Sequence, residues 1–141
     1  MTQTAHSAYR QSNHTALTRI DLLVQLYDKT LRTFRDGLTA LLDGDDERFQ
    51  SERFTAYRCL LAILDGIDPS QGEVAQNTQR LCLFVTRLVW QATPESWERA
   101  AALLQPMHDS FLAIREEATA LELSGQIPAL DFRTVYDHST V

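Results

Sequence analysis

Apolar side chains recur every three or four residues over most of the chain, and this spacing is the feature that most constrains the fold. Residues three and four apart share one face of an α-helix, so each such run predicts an amphipathic helix. The runs cover residues 18–43, 46–66 and 71–92, and a fourth run starts at Pro94. We therefore expect four helices of similar length.

Local signals predict where these helices begin. Thr18, followed by Asp21, supplies a hydroxyl that caps free amides and an acid near the positive end of the first helix. Ser70 and Glu73 have the spacing of a capping box for the third helix. Pro94 suits the first position of the fourth helix, because its missing N–H would have no helical partner there.

Two glycines and one proline add further expectations. Gly44 suits a left-handed residue after the end of the first helix. Gly37 lies inside that helix, where a glycine is tolerable if a neighbouring helix approaches closely. Pro106 removes one backbone hydrogen bond from the fourth helix and predicts a kink between Leu103 and Pro106.

Short connections between helices of similar length favour antiparallel neighbours. The predicted fold class is therefore all-α, an antiparallel up-and-down four-helix bundle. We divide the chain into a polar N-terminal cap segment (1–17), the helical bundle (18–124) and an irregular tail (125–141). The first segment has too few large apolar residues to build a core of its own.

Composition and charge narrow the classes of partner. With a formal net charge of −6, the chain lacks the basic surface that binds phosphate backbones, so we expect no nucleic-acid partner. No apolar run reaches the roughly 18 residues that a membrane span needs, and the first residues lack the pattern of a secretory signal. Cys59 and Cys82 lie in apolar stretches without the spacing of a metal site, and we interpret them as buried free thiols of a cytoplasmic protein.

The sequence offers no catalytic or metal-binding constellation. His108 has no acid or second histidine one helical turn away on its own face, as a metal site in a bundle would require. Ser110 is two residues from His108 and would point to a different face of the helix. Since phosphate-loop and HExxH motifs are also missing, we expect no catalytic residue, no metal and no cofactor, and hence no enzyme.

The second helix carries two apolar rows. The first contains Phe49, Ala56, Leu60, Ile63 and Ile67, and the second contains Phe54, Tyr57, Leu61 and Leu64. This arc is wider than one core contact requires, so it indicates either two neighbouring helices or one neighbour and a groove for an external segment. Four arginines flank the rows of the second and third helices, either as solvated edges or as the rim of such a groove: Arg53, Arg58, Arg80 and Arg87.

Four strings in order resemble the flagellin export chaperones known as FliS, and together they cover most of residues 9–118. They are AYRQSN around Tyr9, LLVQLYDKTL from Leu22 to Leu31, GEVAQNTQRLCLFVTRLV from Gly72 to Val89, and LLQPMHDSF from Leu103 to Phe111. The chain departs from the family pattern where the family has a glycine, an aromatic residue and a tryptophan, namely at Lys29, Cys82 and Phe111.

The resemblance implies a non-catalytic bundle that binds the disordered C-terminal region of flagellin in the cytoplasm. Such a chaperone prevents premature polymerisation and delivers flagellin to the flagellar export apparatus, whose components are further candidate partners. Tyr9 would then cover the binding groove, and Tyr27 with Asp28 would form the first-helix motif. From the residues alone, Tyr27 is more often a core aromatic, and Tyr9 is as readily a loose terminal residue. Asn77, the polar position of the third helix, could also cap or bridge between helices as a satisfied buried amide.

The expected partner-binding residues follow the apolar positions of the second to fourth helices, and the same positions also suit an ordinary core. They are Ile63, Ile67, Val74, Asn77, Leu81, Phe84, Leu88, Met107 and Phe111. The alternative function is a helical interaction or homodimeric assembly protein with no flagellin client, in which the second helix contacts its own copy. The sequence leaves a monomer and a weak homodimer open.

Overall fold

The computed structural model describes residues 18–126, and this part of the chain is all-helical, with five α-helices and no strand. The predicted all-α class is therefore confirmed. The helices are α1 (Arg19–Asp43), α2 (Asp46–Asp65), α3 (Glu73–Gln91), α4 (Pro94–Ala113) and α5 (Arg115–Leu123), and a 3₁₀ turn at Pro69–Gln71 precedes α3. None of the helices in this part is both long enough and apolar enough to cross a bilayer.

The described residues fall into two compact units. The larger unit is Val24–Ser110, and the smaller one combines residues 18–23 with residues 111–126. Residues 1–17 and 127–141, which hold the predicted cap segment and most of the predicted tail, lie outside the described part of the chain.

Trp97 is the centre of the core of the larger unit and is fully buried. Its indole N–H donates to the backbone oxygen of Val89 at 3.3 Å, and its ring meets the edges of Phe34 and Phe49 at centroid distances of 5.5 Å and 5.1 Å. The same ring lies against Gly37, where a Cβ atom would overlap it. The close approach expected at Gly37 is therefore confirmed, and its partner is a side chain of α4.

Two predicted boundaries are confirmed together with their chemistry. Pro94 is the first residue of α4, and before it Thr93 and Ser96 exchange hydrogen bonds between each backbone N–H and the other hydroxyl, at 3.1 Å and 3.0 Å. Gly44 follows α1 with a φ of 70°, the left-handed conformation that glycine adopts without strain.

The capping box predicted at Ser70 is wrong. Helix α3 begins at Glu73, and Gly72 precedes it without a side-chain cap. The carboxylate of Asp68 instead accepts both the backbone N–H of Ser70 at 3.0 Å and its hydroxyl at 2.6 Å. Because Asp68 engages the serine in a local turn, the serine hydroxyl is not available to cap α3.

The predicted fourth helix is divided in the structure. Helix α4 includes Pro106 and continues to Ala113, and the interruption lies at Ile114, which has φ −97° and ψ 3°. The sequence predicted one helix running through Ile114 and Ala118, because the apolar spacing keeps its phase there.

A buried carboxylate organises the smaller unit. The Asp21 side chain accepts the Thr18 hydroxyl at 2.9 Å, and the same hydroxyl accepts the Asp21 N–H at 3.3 Å, which confirms the predicted start of α1. Arg115 of α5 forms an ion pair with Asp21. Glu122 accepts the backbone N–H of Arg19 at 2.9 Å, so α5 satisfies a free donor at the beginning of α1.

We expect Asp21→Asn to lower the free energy of unfolding by about 1 kcal/mol at neutral pH, since Arg115 is half-exposed and solvent screens the pair. Burial raises the pKa of Asp21, but the Thr18 hydrogen bonds and the Arg115 charge outweigh it, and the pKa is lowered. A lowered folded pKa means that this stability is present above the unfolded value of about 3.9 and is lost as pH falls through the folded pKa.

Denaturant unfolding of both proteins between about pH 6 and pH 2 checks this prediction. The difference between wild type and Asp21→Asn should shrink at the acid end of the range. A difference that stays constant with pH would contradict the prediction. Asp36→Asn, at an exposed position of the same helix, is the matched control and should change stability by less than about 0.5 kcal/mol.

Candidate functional site

The two apolar rows of α2 have different environments. The first row is buried apart from Ile67, which is half-buried. In the second row, Phe54 is 64% exposed and Leu61 is also exposed, while Tyr57 and Leu64 are half-buried. Steps of three and four residues place the second row on one side of the helix. Of the two interpretations of the wide arc, the structure therefore favours one covered flank and one open flank.

Helix α3 has a similar exposed side. Trp90 is 57% exposed, and Leu83 and Phe84 are exposed as well. Arg80 and Arg87 alternate with them at helical spacing and are also exposed. Phe84 lies towards α4 instead, about 120° around the helix from Trp90, and the guanidinium of Arg99 from α4 lies over its ring at 5.3 Å. This side of α3 is therefore a mixture of large apolar groups and arginines.

A pocket lies where the exposed sides of α2 and α3 meet, and these two helices pack against each other. The rings of Tyr57 and Trp90 meet edge to face at 5.6 Å. Arg53 stacks over the Trp90 ring at 4.4 Å and donates to the backbone oxygen of the same residue at 3.2 Å. The pocket has a volume of about 320 Å³ and is lined by Gln50, Arg53, Phe54, Tyr57, Val89 and Trp90.

We call the whole surface the α2–α3 face. It is formed by Arg53, Phe54, Tyr57, Arg58 and Leu61 of α2 and by Arg80, Leu83, Arg87 and Trp90 of α3. Large exposed apolar surfaces on soluble proteins are typical of interaction sites. The α2–α3 face can therefore bind an apolar partner, and its arginines can pair with acidic groups.

The nine residues predicted to bind a partner are distributed over several environments. Ile63 is 2% exposed and Leu88 is 3% exposed, so both are core residues in this conformation. Four others are half-buried, namely Ile67, Leu81, Met107 and Phe111. Three are exposed: Val74, Asn77, which accepts a hydrogen bond from Arg80 at 3.5 Å, and Phe84.

The eight of these residues that lie in the larger unit do not form one surface, because Ile63 and Leu88 are buried in its core. None of the nine is a member of the α2–α3 face, since the exposed Phe84 lies on the side of α3 that meets Arg99 of α4. Phe111 lies in the smaller unit, whereas the other eight lie in the larger one. Tyr9, the predicted groove cover, is outside residues 18–126.

The prediction omitted Phe54, Tyr57, Leu61 and Trp90, although these residues form most of the apolar area of the α2–α3 face. A signal for three of them was present, since the second row of α2 was recognised in the sequence. Which of two equivalent rows is covered depends on tertiary packing, which helical spacing alone does not report. For Trp90, the next residue after Leu88 and Val89, the helical period gave no comparable signal.

The first-helix motif consists of core and polar contacts. Tyr27 is buried, and its hydroxyl donates to the sulfur of Met107 at 4.0 Å. Burial, followed by the neighbouring Cys82 thiol, raises the pKa of Tyr27, and burial raises the pKa of Cys82. Both groups therefore stay protonated at neutral pH, and Cys82 is a poor nucleophile. Cys59 is also buried and free, as predicted.

Asp28, the next residue of the motif, is exposed and lies 3.5 Å from Nε2 of His108. The other ring nitrogen of His108 lies 3.2 Å from Asp109. Within residues 18–126, no group of three or more histidine, cysteine or acidic side chains is placed to hold a metal ion. In this motif, Tyr27 therefore packs in the core, and Asp28 pairs with His108.

The chain matches no protein-family model and no curated protein sequence. A functional interpretation therefore depends on the sequence resemblance and on the geometry of the α2–α3 face.

Proposed function

We propose that this chain is a cytoplasmic export chaperone that binds the disordered C-terminal region of flagellin and delivers it to the export apparatus. The observation that carries the proposal is the α2–α3 face, with five large apolar side chains at the surface beside a pocket of about 320 Å³. The resemblance to the flagellin export chaperones supports the identity of the client. The proposed activity is binding, without a chemical step.

Burial of apolar surface supplies the driving force for this docking. Removing apolar area from water contributes about 25 cal/mol per Å², and the α2–α3 face offers aromatic and branched side chains on two adjacent helices. A client helix with an apolar side can pack between them in the helix-in-groove mode. Ordering a disordered client costs several kcal/mol, so the affinity is modest for the area buried.

The proposal includes the arrangement of the helices. We propose that α1 to α4 alternate in direction as an antiparallel up-and-down bundle, in which a client helix runs along α2 and α3. The support is the shortness of the connections, since two residues separate α1 from α2 and two separate α3 from α4. Connections of that length favour antiparallel neighbours.

Calorimetry with the full-length chain and a synthetic peptide of the C-terminal segment of flagellin from the same genome tests the proposal. We expect saturable binding with a dissociation constant in the range of about 0.1–10 μM. We also expect a clearly negative heat-capacity change, because apolar surface is buried and the peptide folds on binding.

The same peptide with its apolar helical positions changed to serine is the matched control and should not bind. Absence of binding by the unmodified peptide would rule out the client assignment. A tight dimer in sedimentation experiments without any client would instead favour the homodimeric assembly alternative.

A further inference from the structure

The α2–α3 face has a charge opposite to that of the chain as a whole. Residues 53–64 and 74–91 contain four arginines and no aspartate or glutamate, whereas the chain has a formal net charge of −6. Glu52, which directly precedes Arg53 on α2, is half-buried, and Asp65 and Glu73 stand at helix ends. Between these positions, the charges that α2 and α3 place on the face are therefore the four arginines.

Two of these arginines are held in place by aromatic rings. Arg53 stacks on Trp90 at 4.4 Å, and Arg58 lies over Phe54 at 5.8 Å. Stacking of this kind keeps a guanidinium extended along an apolar surface and leaves its edge available to a planar anion. The charges are thus positioned in advance at the rim of the pocket.

The donors of these arginines are largely unused within residues 18–126. Arg53 makes one hydrogen bond, to a backbone oxygen, although a guanidinium carries five N–H donors, and its Nε is buried without a partner. In this part of the chain no carboxylate forms an ion pair with Arg53, Arg58 or Arg87. A bound carboxylate would therefore gain charge-assisted hydrogen bonds without displacing an existing ion pair.

We infer that the α2–α3 face binds an acidic amphipathic helix of another protein, with a large apolar side chain in the pocket and carboxylates on the surrounding arginines. This inference rests on the proposed function only in taking the face as the docking surface. It names the chemistry of the occupant, which holds for flagellin or for a different client.

Other occupants fit the face less well. A symmetric dimer through this surface would set arginines against arginines, and like charges at an interface are unfavourable. A nucleic acid would meet the acidic remainder of the chain, including the four carboxylates between Asp43 and Glu47. A membrane surface is wide and flat, whereas the pocket between α2 and α3 is concave and suits a single inserted side chain.

Peptide binding to the full-length chain tests the inference. Three synthetic amphipathic peptides, each as long as the 19 residues of α3, share the same leucine and phenylalanine positions and carry glutamate, glutamine or lysine on either side of them. We expect the glutamate peptide to bind about tenfold more tightly than the glutamine peptide at low salt, with the advantage decreasing as salt is added. Vesicles containing phosphatidylserine are measured in parallel.

Arginine variants locate the charges that matter. Arg53→Gln combined with Arg87→Gln should remove most of the preference for glutamate, so that the ratio of the affinities for the glutamate and glutamine peptides falls from about tenfold to about twofold or less. Arg48→Gln is the matched control, because Arg48 is exposed on α2 but outside the face, and it should keep the full preference.

Equal binding of the glutamate and glutamine peptides, stronger binding of the lysine peptide, or no binding of any peptide would overturn the inference. Preferential binding to the vesicles would also overturn it and would assign the face to an anionic membrane surface. If the glutamate peptide binds and the flagellin segment does not, the inference stands and the client assignment fails. If the flagellin segment binds and the glutamate peptide does not, the inference fails and the client assignment stands.

Discussion

Replacing Gly37 with alanine is expected to lower the free energy of unfolding by about 2–3 kcal/mol, although alanine is the better helix former by about 1 kcal/mol. The new Cβ atom would overlap Cζ3 of Trp97 and lie 2.7 Å from Cε3 and 2.9 Å from Cη2. The ring cannot move aside cheaply, because Val89, Phe34 and Phe49 hold it from other directions. Denaturant unfolding followed by circular dichroism measures the loss.

A double-mutant cycle identifies the cause. Trp97→Leu alone should cost about 3 kcal/mol, because it removes a fully buried ring. In that background Gly37→Ala should cost nothing or should stabilise the fold by up to about 1 kcal/mol, since the obstructing atoms are gone and the helix propensity remains. If Gly37→Ala were equally harmful with and without the tryptophan ring, the steric explanation would fail.

The helices themselves could be predicted from the sequence because each depends on a local pattern. The apolar spacing predicted four helical runs, and Thr18, Gly44 and Pro94 marked boundaries with side chains or backbone conformations that act within one turn. The prediction failed where two local signals competed. Ser70 donates its N–H and its hydroxyl to Asp68 and therefore does not cap α3. Residue spacing in the sequence does not reveal which of these two hydrogen-bonding arrangements forms.

The division between α4 and α5 was missed for a related reason. The apolar period continues through Ile114, so nothing in the pattern marks a stop, while Pro106 is an expected disturbance that α4 accommodates within its bounds. A helix in a protein is stabilised mainly by the packing of its apolar side. Continuous spacing therefore does not guarantee a continuous helix.

The candidate site could be predicted only in part. The excess apolar arc of α2 indicated that a flank was available, and this flank is open in the structure. The sequence could not tell which row is covered, because both have the same period. Ile63 and Leu88 were therefore selected although they are core residues, and Phe54 and Trp90 were not selected although they are exposed.

Replacing Trp90 with alanine is expected to weaken binding of the proposed flagellin segment by about 30-fold or more, which corresponds to about 2 kcal/mol. Trp90 lines the pocket and is fixed by the Tyr57 ring and the Arg53 guanidinium, so little entropy is lost when a partner packs against it. Its removal also opens the pocket on the α3 side. Calorimetry of the variant with the flagellin peptide measures the loss of affinity.

Stability separates a binding role of Trp90 from a structural one. Since Trp90 is more than half exposed, its loss should cost only about 1 kcal/mol of unfolding free energy, mainly from the contacts with Tyr57 and Arg53. The buried Leu88, two residues earlier, should show the opposite pattern, because Leu88→Ala leaves a cavity that costs about 2–5 kcal/mol. Leu42→Ala removes an exposed leucine outside the α2–α3 face and should change neither quantity. If Trp90→Ala lost stability as Leu88→Ala does while keeping its affinity, Trp90 would be a packing residue, and the client would have to dock elsewhere.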